Sequence, residues 1–136
     1  MTGRYEIAVS FDGYYSFGLY VGTGRPLLAG GDHSTLPLCR KGIASVRLNA
    51  DAPLEDLTLP VEDGDEGVPL RARLRCPKFT LECGGDGMYR LTLYAKNGKP
   101  VAVSPPDATP DAAIAVLEAI RRVAMDARTA EPSGPR

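Results

Sequence analysis

Tryptophan is absent from the 136-residue chain, histidine occurs once, and cysteine three times. Cys39, Cys76 and Cys83 stand at none of the spacings of a metal-ligand or redox pair. An odd cysteine count in a chain of this size does not build a secreted disulfide framework. No basic start followed by an apolar run stands at the N-terminus, and no apolar stretch approaches the roughly 18 residues of a membrane span. Neither sign of charge dominates: 16 basic against 17 acidic side chains leave a net charge of −1. That offers no global attraction to nucleic acid or to anionic lipid. These absences lead to the expectation of a soluble, reduced, cytoplasmic protein. Hydrophobic residues make up 43% of the chain, enough to bury a core within one ordinary domain length.

The chain does contain one stretch written twice. Asp12 to Pro26 reads DGYYSFGLYVGTGRP and Asp86 to Pro100 reads DGMYRLTLYAKNGKP, aligned without a gap 74 residues apart. Asp12/Asp86, Gly13/Gly87, Tyr15/Tyr89, Leu19/Leu93, Tyr20/Tyr94, Gly24/Gly98 and Pro26/Pro100 recur. A fixed internal period implies two copies of one supersecondary unit.

Each copy reads as β-β-β-α-β. In the first, Tyr5, Ile7, Val9 and Phe11 alternate with small or polar residues, the period of a half-buried strand. Asp12-Gly13 then supplies a hairpin turn, since both residue types tolerate positive φ. Tyr15, Phe17, Leu19 and Val21 mark a second strand, and Pro26 to Gly30 a third. Thr35 caps a helix with Pro37 in its first turn. Cys39, Ile43, Val46 and Ala50 form that helix's apolar stripe. Leu54 to Leu59 gives a closing strand. In the second copy the corresponding features are Phe79, Leu81 and Cys83, then Tyr89, Leu91, Leu93 and Ala95. The Asn97-Gly98 turn follows, then a Thr109-Pro110-Asp111 helix start with the stripe Ala113, Leu117, Ile120 and Ala124. The counterpart of the closing strand would be Arg128 to Gly134, whose RTAEPSG composition is that of a tail. The expected organisation is repeat one over 1–60, an acidic linker over 61–69, repeat two over 70–128 and a disordered tail over 129–136. Leu70 to Cys76 alternates apolar and arginine residues as a strand would, with Pro77 ending it or holding it at an edge.

The strings YEIAVSFDGYYSFGLYVGTGRPLLA, GIASVRLNADAPLEDLT and PKFTLECGGDGMYRLTLYAKNGKPVAVS resemble the YegP-like domain family. The resemblance covers roughly residues 4–60 and 77–126. It implies an α+β fold in which two β(3)-α-β units share one antiparallel sheet, exchange their last strands and pack two helices on one face. It implies no activity and no catalytic residue, because that family has no established function. The chain departs from the family in three places. Ser16, Gly18 and Tyr20, and in copy two Arg90, Thr92 and Tyr94, stand where the second strand is usually basic. The second helix lacks the glycine and serine of GIASV. The last strand of the second repeat is expected to be missing, with Arg71 to Cys76 or a second molecule in its place.

Candidate chemistry is sparse. Asp32, His33 and Ser34 adjoin, yet catalytic triads are assembled from separated positions, and loop and capping roles account for these residues. Glu62 to Glu66 lacks the 12-residue ligand pattern of a calcium loop and reads as a solvated linker. Gly22-Thr23-Gly24-Arg25 is followed by neither the lysine-serine nor the helix of a phosphate loop. Cys76 and Cys83 read as small buried hydrophobes. Tyr20 and Tyr94 each follow an inward leucine, so they point away from the helices. With Arg90, Arg71, Arg73 and Arg75 they make a candidate aromatic-basic binding surface; cross-strand packing with edge arginines is the structural reading of the same residues. The expected function is a non-catalytic module, without cofactor or metal, that binds a protein or peptide on its open sheet face. The alternatives are a nucleic-acid binder using tyrosine and arginine, and a self-associating structural protein. The expected state is a monomer with pseudo-dimeric internal symmetry, or a homodimer through an unpaired sheet edge.

Overall fold

A computed structural model describes residues 2–59 and 74–130. The elements run β1 (Gly3–Val9), β2 (Tyr15–Val21), β3 (Leu28–His33), α1 (Leu36–Asn49), β4 (Leu54–Asp56), β5 (Lys78–Cys83), β6 (Tyr89–Tyr94), β7 (Pro100–Val103), α2 (Pro110–Val123) and β8 (Arg128–Thr129). All eight strands join one sheet in the order β4-β5-β6-β7-β3-β2-β1-β8. Adding 74 to the bounds of α1 returns those of α2, 36–49 becoming 110–123. At the centre of the sheet β3 and β7 meet at a single pairing, Ala29 with Val103, two residues that are themselves 74 apart. An approximate two-fold axis therefore passes between β3 and β7.

The turn chemistry is as the residues dictate. Gly13 and Gly87 adopt φ of 84° and 77° behind Asp12 and Asp86, the left-handed region that only glycine enters without steric cost. Thr35 Oγ1 accepts the Leu38 N–H at 3.3 Å, and Thr109 Oγ1 the Ala112 N–H at 3.1 Å, each cap contributing about 1 kcal/mol. Behind the caps, Cys39, Ile43, Val46 and Ala50, and Ala113, Leu117, Ile120 and Ala124, are buried as expected. They pack on Tyr5, Ile7, Phe17, Leu19, Phe79, Leu81, Leu91 and Leu93 from the sheet. The two copies solve one packing problem with opposite sizes. A Cβ on Gly42 would lie 3.0 Å from the Phe17 ring; at the equivalent positions stand Val116 and the smaller Leu91.

Five expectations change. The sheet is mixed, not purely antiparallel, because β4 pairs in parallel with β5 and β8 in parallel with β1. The last strand of the second repeat is present: Arg128 and Thr129 pair with Arg4 and Tyr5, and Ala130 N–H donates to Tyr5 O at 2.8 Å. Tail-like composition concealed it because its partners come from the opposite half. Leu74 to Pro77 belongs to no strand, its cis Cys76–Pro77 bond leading into β5, while Arg71 and Arg73 lie outside the described residues. Phe11 is not a strand residue but stands 91% exposed in the first hairpin turn. The third strand also begins later than expected, at Leu28, after the Gly22–Gly24 turn and Pro26.

The exchange of closing segments is fastened from the helices. Arg47, in the last turn of α1, donates through Nη2 to Ala127 O at 2.6 Å and to Thr129 Oγ1 at 2.9 Å. Arg121, its counterpart on α2, donates to Ala52 O at 2.7 Å. Tyr5 lies under the Arg47 guanidinium at 4.9 Å and donates its buried hydroxyl to Ala124 O at 2.7 Å. Burial pushes the Tyr5 phenol up to about 12, against the opposing influence of Arg47. Because the folded state holds this proton more tightly than the unfolded chain, stability falls as pH rises from about 10 towards 12. We expect Tyr5→Phe to cost about 1–3 kcal/mol in urea unfolding at neutral pH, by orphaning the Ala124 carbonyl. The same variant should lose most of the stability decline between pH 10 and 12, as followed by circular dichroism; an unchanged alkaline limb would show that Tyr5 does not control it.

Candidate functional site

Alternation along each strand assigns one residue row after another to the face away from the helices. Cross-strand registers place Thr80, Thr92, Val103, Ala29, Gly18 and Glu6 in one row across this face. The flanking pairs are Arg4 with Tyr20 and Ala8 with Ser16 in copy one, Lys78 with Tyr94 and Glu82 with Arg90 in copy two. Tyr20 and Tyr94 do point away from the core. The approximate two-fold axis nevertheless sets them on β2 and β6, three strand spacings or roughly 14 Å apart across the sheet. They do not make one aromatic patch.

The two halves of the face differ in kind. In copy two the row is closed by its own side chains: Thr80 and Thr92 are 2% and 8% exposed. Arg90 is bound to Asp86 through Nη2–Oδ2 at 2.6 Å and Nη1–Oδ1 at 3.3 Å. Lys78 Nζ donates to Glu55 Oε1 at 2.8 Å. Arg75 is exposed in the segment before β5, and no strand brings it to Tyr94. In copy one the corresponding positions are stripped to Ala8, Ser16, Gly18, Ala29 and Gly31, and a hollow of about 360 Å³ opens over them. Glu6 and Tyr20 form its rim. The Tyr20 ring lies flat over Gly18, where an added Cβ would come within 2.7 Å of it. Arg4 in turn covers that ring at 5.3 Å, pairs with Glu6 and donates to Gly22 O at 2.8 Å. Any side chain at 18 would therefore have to displace the Tyr20 ring. The divergence of Ser16 from Arg90 and of Gly18 from Thr92 leads to the expectation of a lopsided face with the second copy as its working half; the concave surface lies instead in the first copy. Reading inward and outward positions alone missed the hollow; the run of small outward residues was its signal.

The other candidates fall elsewhere. His33 ends β3, stacked on Phe17 at 6.0 Å, with its buried Nε2 facing the Gly42 backbone and without a hydrogen-bond partner. Its equivalent in copy two is Asp107, which Arg25 reaches from the other half, binding both that carboxylate and Pro106 O. Cys39 is buried, and burial pushes its thiol up. Cys83 is exposed instead of buried, since it closes β5 beside the turn, beyond Phe79 and Leu81. The Glu62–Glu66 run lies outside the described residues. Among the described residues no cluster of three histidine, cysteine, aspartate or glutamate side chains could hold a metal ion, and no helix is long and apolar enough to cross a membrane.

A mixed eight-stranded sheet, two helices on one face and reciprocally exchanged closing strands define a YegP-like α+β fold. The solution NMR structure of the Escherichia coli protein of unknown function yegP matches 100% of this chain and 97% of its own at a TM-score of 0.73 and 18% identity. That of the UPF0339 protein SO3888 from Shewanella oneidensis matches 98% of this chain and 93% of its own, with a TM-score of 0.72 and 17% identity. At the level of sequence, no family model and no curated protein matches the chain. The likeness establishes the fold and brings no activity with it.

The Arg90 ion pair has a measurable consequence. Hydrogen bonding from Arg90, joined by the Met88 backbone N–H, lowers the Asp86 carboxyl from 3.8 to about 2. The depressed value means that this pair's contribution is present above pH 4 and is lost as pH falls towards 2. Carbon-detected NMR titration should show the Asp86 carboxyl returning towards 3.8 in Arg90→Ala; no movement would mean that Arg90 is not tied down.

Proposed function

We propose that this chain is a small non-catalytic binding module that receives a protein or peptide partner on the open face of its sheet. The observation that carries this reading is the hollow over Ala8, Ser16, Gly18, Ala29 and Gly31. It is a concave floor of nearly bare backbone on the sheet, with the Tyr20 ring and the Arg4–Glu6 pair beside it. Such a floor admits an apolar side chain close to the strands while Tyr20 supplies contact area at little entropic cost. A protein or peptide is favoured over nucleic acid on electrostatic grounds. Among the described residues, Arg4, Lys78 and Arg90 flank the face, and each is paired with a carboxylate, Glu6, Glu55 and Asp86. Paired cations add little to the release of counterions on which nucleic-acid affinity depends.

Ala29 tests the proposal, since its side chain is exposed at the centre of the face and supports no packing. Partners recovered from the native host on wild-type chain should bind Ala29→Arg at least about tenfold more weakly by calorimetry, a loss of roughly 1.4 kcal/mol. Leu48→Arg, at an 83% exposed position on α1, should leave the same affinity unchanged. A partner indifferent to Ala29→Arg but sensitive to Leu48→Arg would refute the open-face reading.

A further inference from the structure

The first hairpin ends in two exposed aromatic residues, Phe11 at 91% and Tyr14 at 47%. Its tip is held in one shape. Ser10 N–H donates to Tyr14 O at 2.9 Å, Gly13 N–H to Ser10 O at 3.0 Å, and Tyr14 N–H to Ser10 Oγ at 3.1 Å. A tip already ordered loses little loop entropy when it docks. The Ser10–Tyr14 pairing continues the β1–β2 register, so strand parity puts Tyr14 on the open face, next in line to Ser16.

The second copy lacks both the aromatic tip and the hollow. An offset of 74 replaces Phe11 by Gly85 and Tyr14 by Met88. The same offset replaces Ala8, Ser16 and Gly18 by the larger Glu82, Arg90 and Thr92. Within one fold, the tip and the hollow thus occur together or are missing together. They match in size, since a hollow of about 360 Å³ has more room than the roughly 150 Å³ that suffices for a benzene ring. They do not meet within one molecule. The tip lies two residues beyond the Val9–Tyr15 pair and the hollow is centred two residues before it, a separation of about 13 Å.

We propose, resting on the open-face reading above, that the partner received by the hollow is a second copy of this chain, and that the two copies exchange their Phe11 tips. A two-fold axis lying along the face, across the strands and near the Val9–Tyr15 pair, performs the exchange. It brings each Phe11 to the level of the other copy's Ile7 and Phe17, between Ser16 and Gly18 and beside the Tyr20 ring. Such a contact is isologous and closes at two copies. Charge does not oppose it, because the net charge is −1 and Arg4 is paired with Glu6 beside the hollow. Two phenylalanines, two half-exposed tyrosines and the surface they cover amount to about 1,000 Å², the low end for a specific interface. The dimer is therefore weak, dissociating on the order of 100 µM.

Amide NMR of the isotope-labelled full chain, diluted from about 1 mM to about 10 µM, should show concentration-dependent shifts at Phe11, Ser16, Gly18 and Gly31. Phe11→Ser and Ala29→Arg, both at exposed positions, should each weaken this association at least about tenfold. Mixing the two variants separates tip from hollow, because the mixed pair keeps one intact tip facing one intact hollow. Labelled Phe11→Ser should shift at Ser16, Gly18 and Gly31 on addition of unlabelled Ala29→Arg, and not on addition of unlabelled Phe11→Ser. Shifts independent of concentration in the wild-type chain would overturn the second copy as partner. The open-face reading would then still stand or fall on whether host partners sense Ala29→Arg. Self-association that survives Phe11→Ser, or that is lost there and kept in Ala29→Arg, would overturn the exchange of tips.

Discussion

Everything in this fold depends on a reciprocal exchange. After each helix the chain does not return to its own three strands but crosses to the edge of the other three, β4 to β5 and β8 to β1. Short parallel edge strands of three and two residues would hold poorly by their ladders alone. The arginine at the end of each helix supplies what they lack, Arg47 gripping Ala127 and Arg121 gripping Ala52 across the molecule. Charge-assisted bonds to buried backbone carbonyls are among the stronger hydrogen bonds available. Tyr5 adds a third tie from the first copy to the end of α2, which Phe79 in the equivalent place cannot make. Neither half can therefore close its edge without the other, although β3 and β7, at the centre of the sheet, share only the Ala29–Val103 pairing.

That symmetry does not extend to every surface. On the helix face both copies bury the same pattern of residues. The opposite face has been free to diverge, and the copies have gone opposite ways. In copy two Arg90 with Asp86 and Lys78 with Glu55 pair their charges, and Thr80 and Thr92 are covered. In copy one small residues leave the backbone bare, and Tyr20 lies over Gly18. The helix side is equally uneven, because α1 bears only basic charges whereas α2 carries Asp111 and Glu118 with Arg121 and Arg122. Both asymmetries set the first half apart from the second.

Local signals were readable wherever a residue's role depends on its immediate neighbours. The Asp-Gly and Asn-Gly turns, the threonine caps and the two helical stripes needed only backbone sterics and a 3.6-residue period, and the 74-residue offset carried each from one copy to the other. Phe11 shows the limit of periodicity, since alternation continued one step past the point at which the turn lifted the chain out of the sheet. Cys83 shows a related limit: its parity is inward, but it stands at the strand's end beside the turn.

The sequence by itself determined the 74-residue internal offset, the three strands and helix of each half and which face of each is apolar, because these follow from local conformational preference and side-chain period. Only the tertiary structure decided that RTAEPSG begins with a strand, since Arg128 and Thr129 become one through β1, 124 residues away in sequence, and through Arg47. It also decided which cations are spoken for, which tyrosines share a surface, and where small residues add up to a hollow. Those are distances between residues remote in the chain, and no local pattern encodes them.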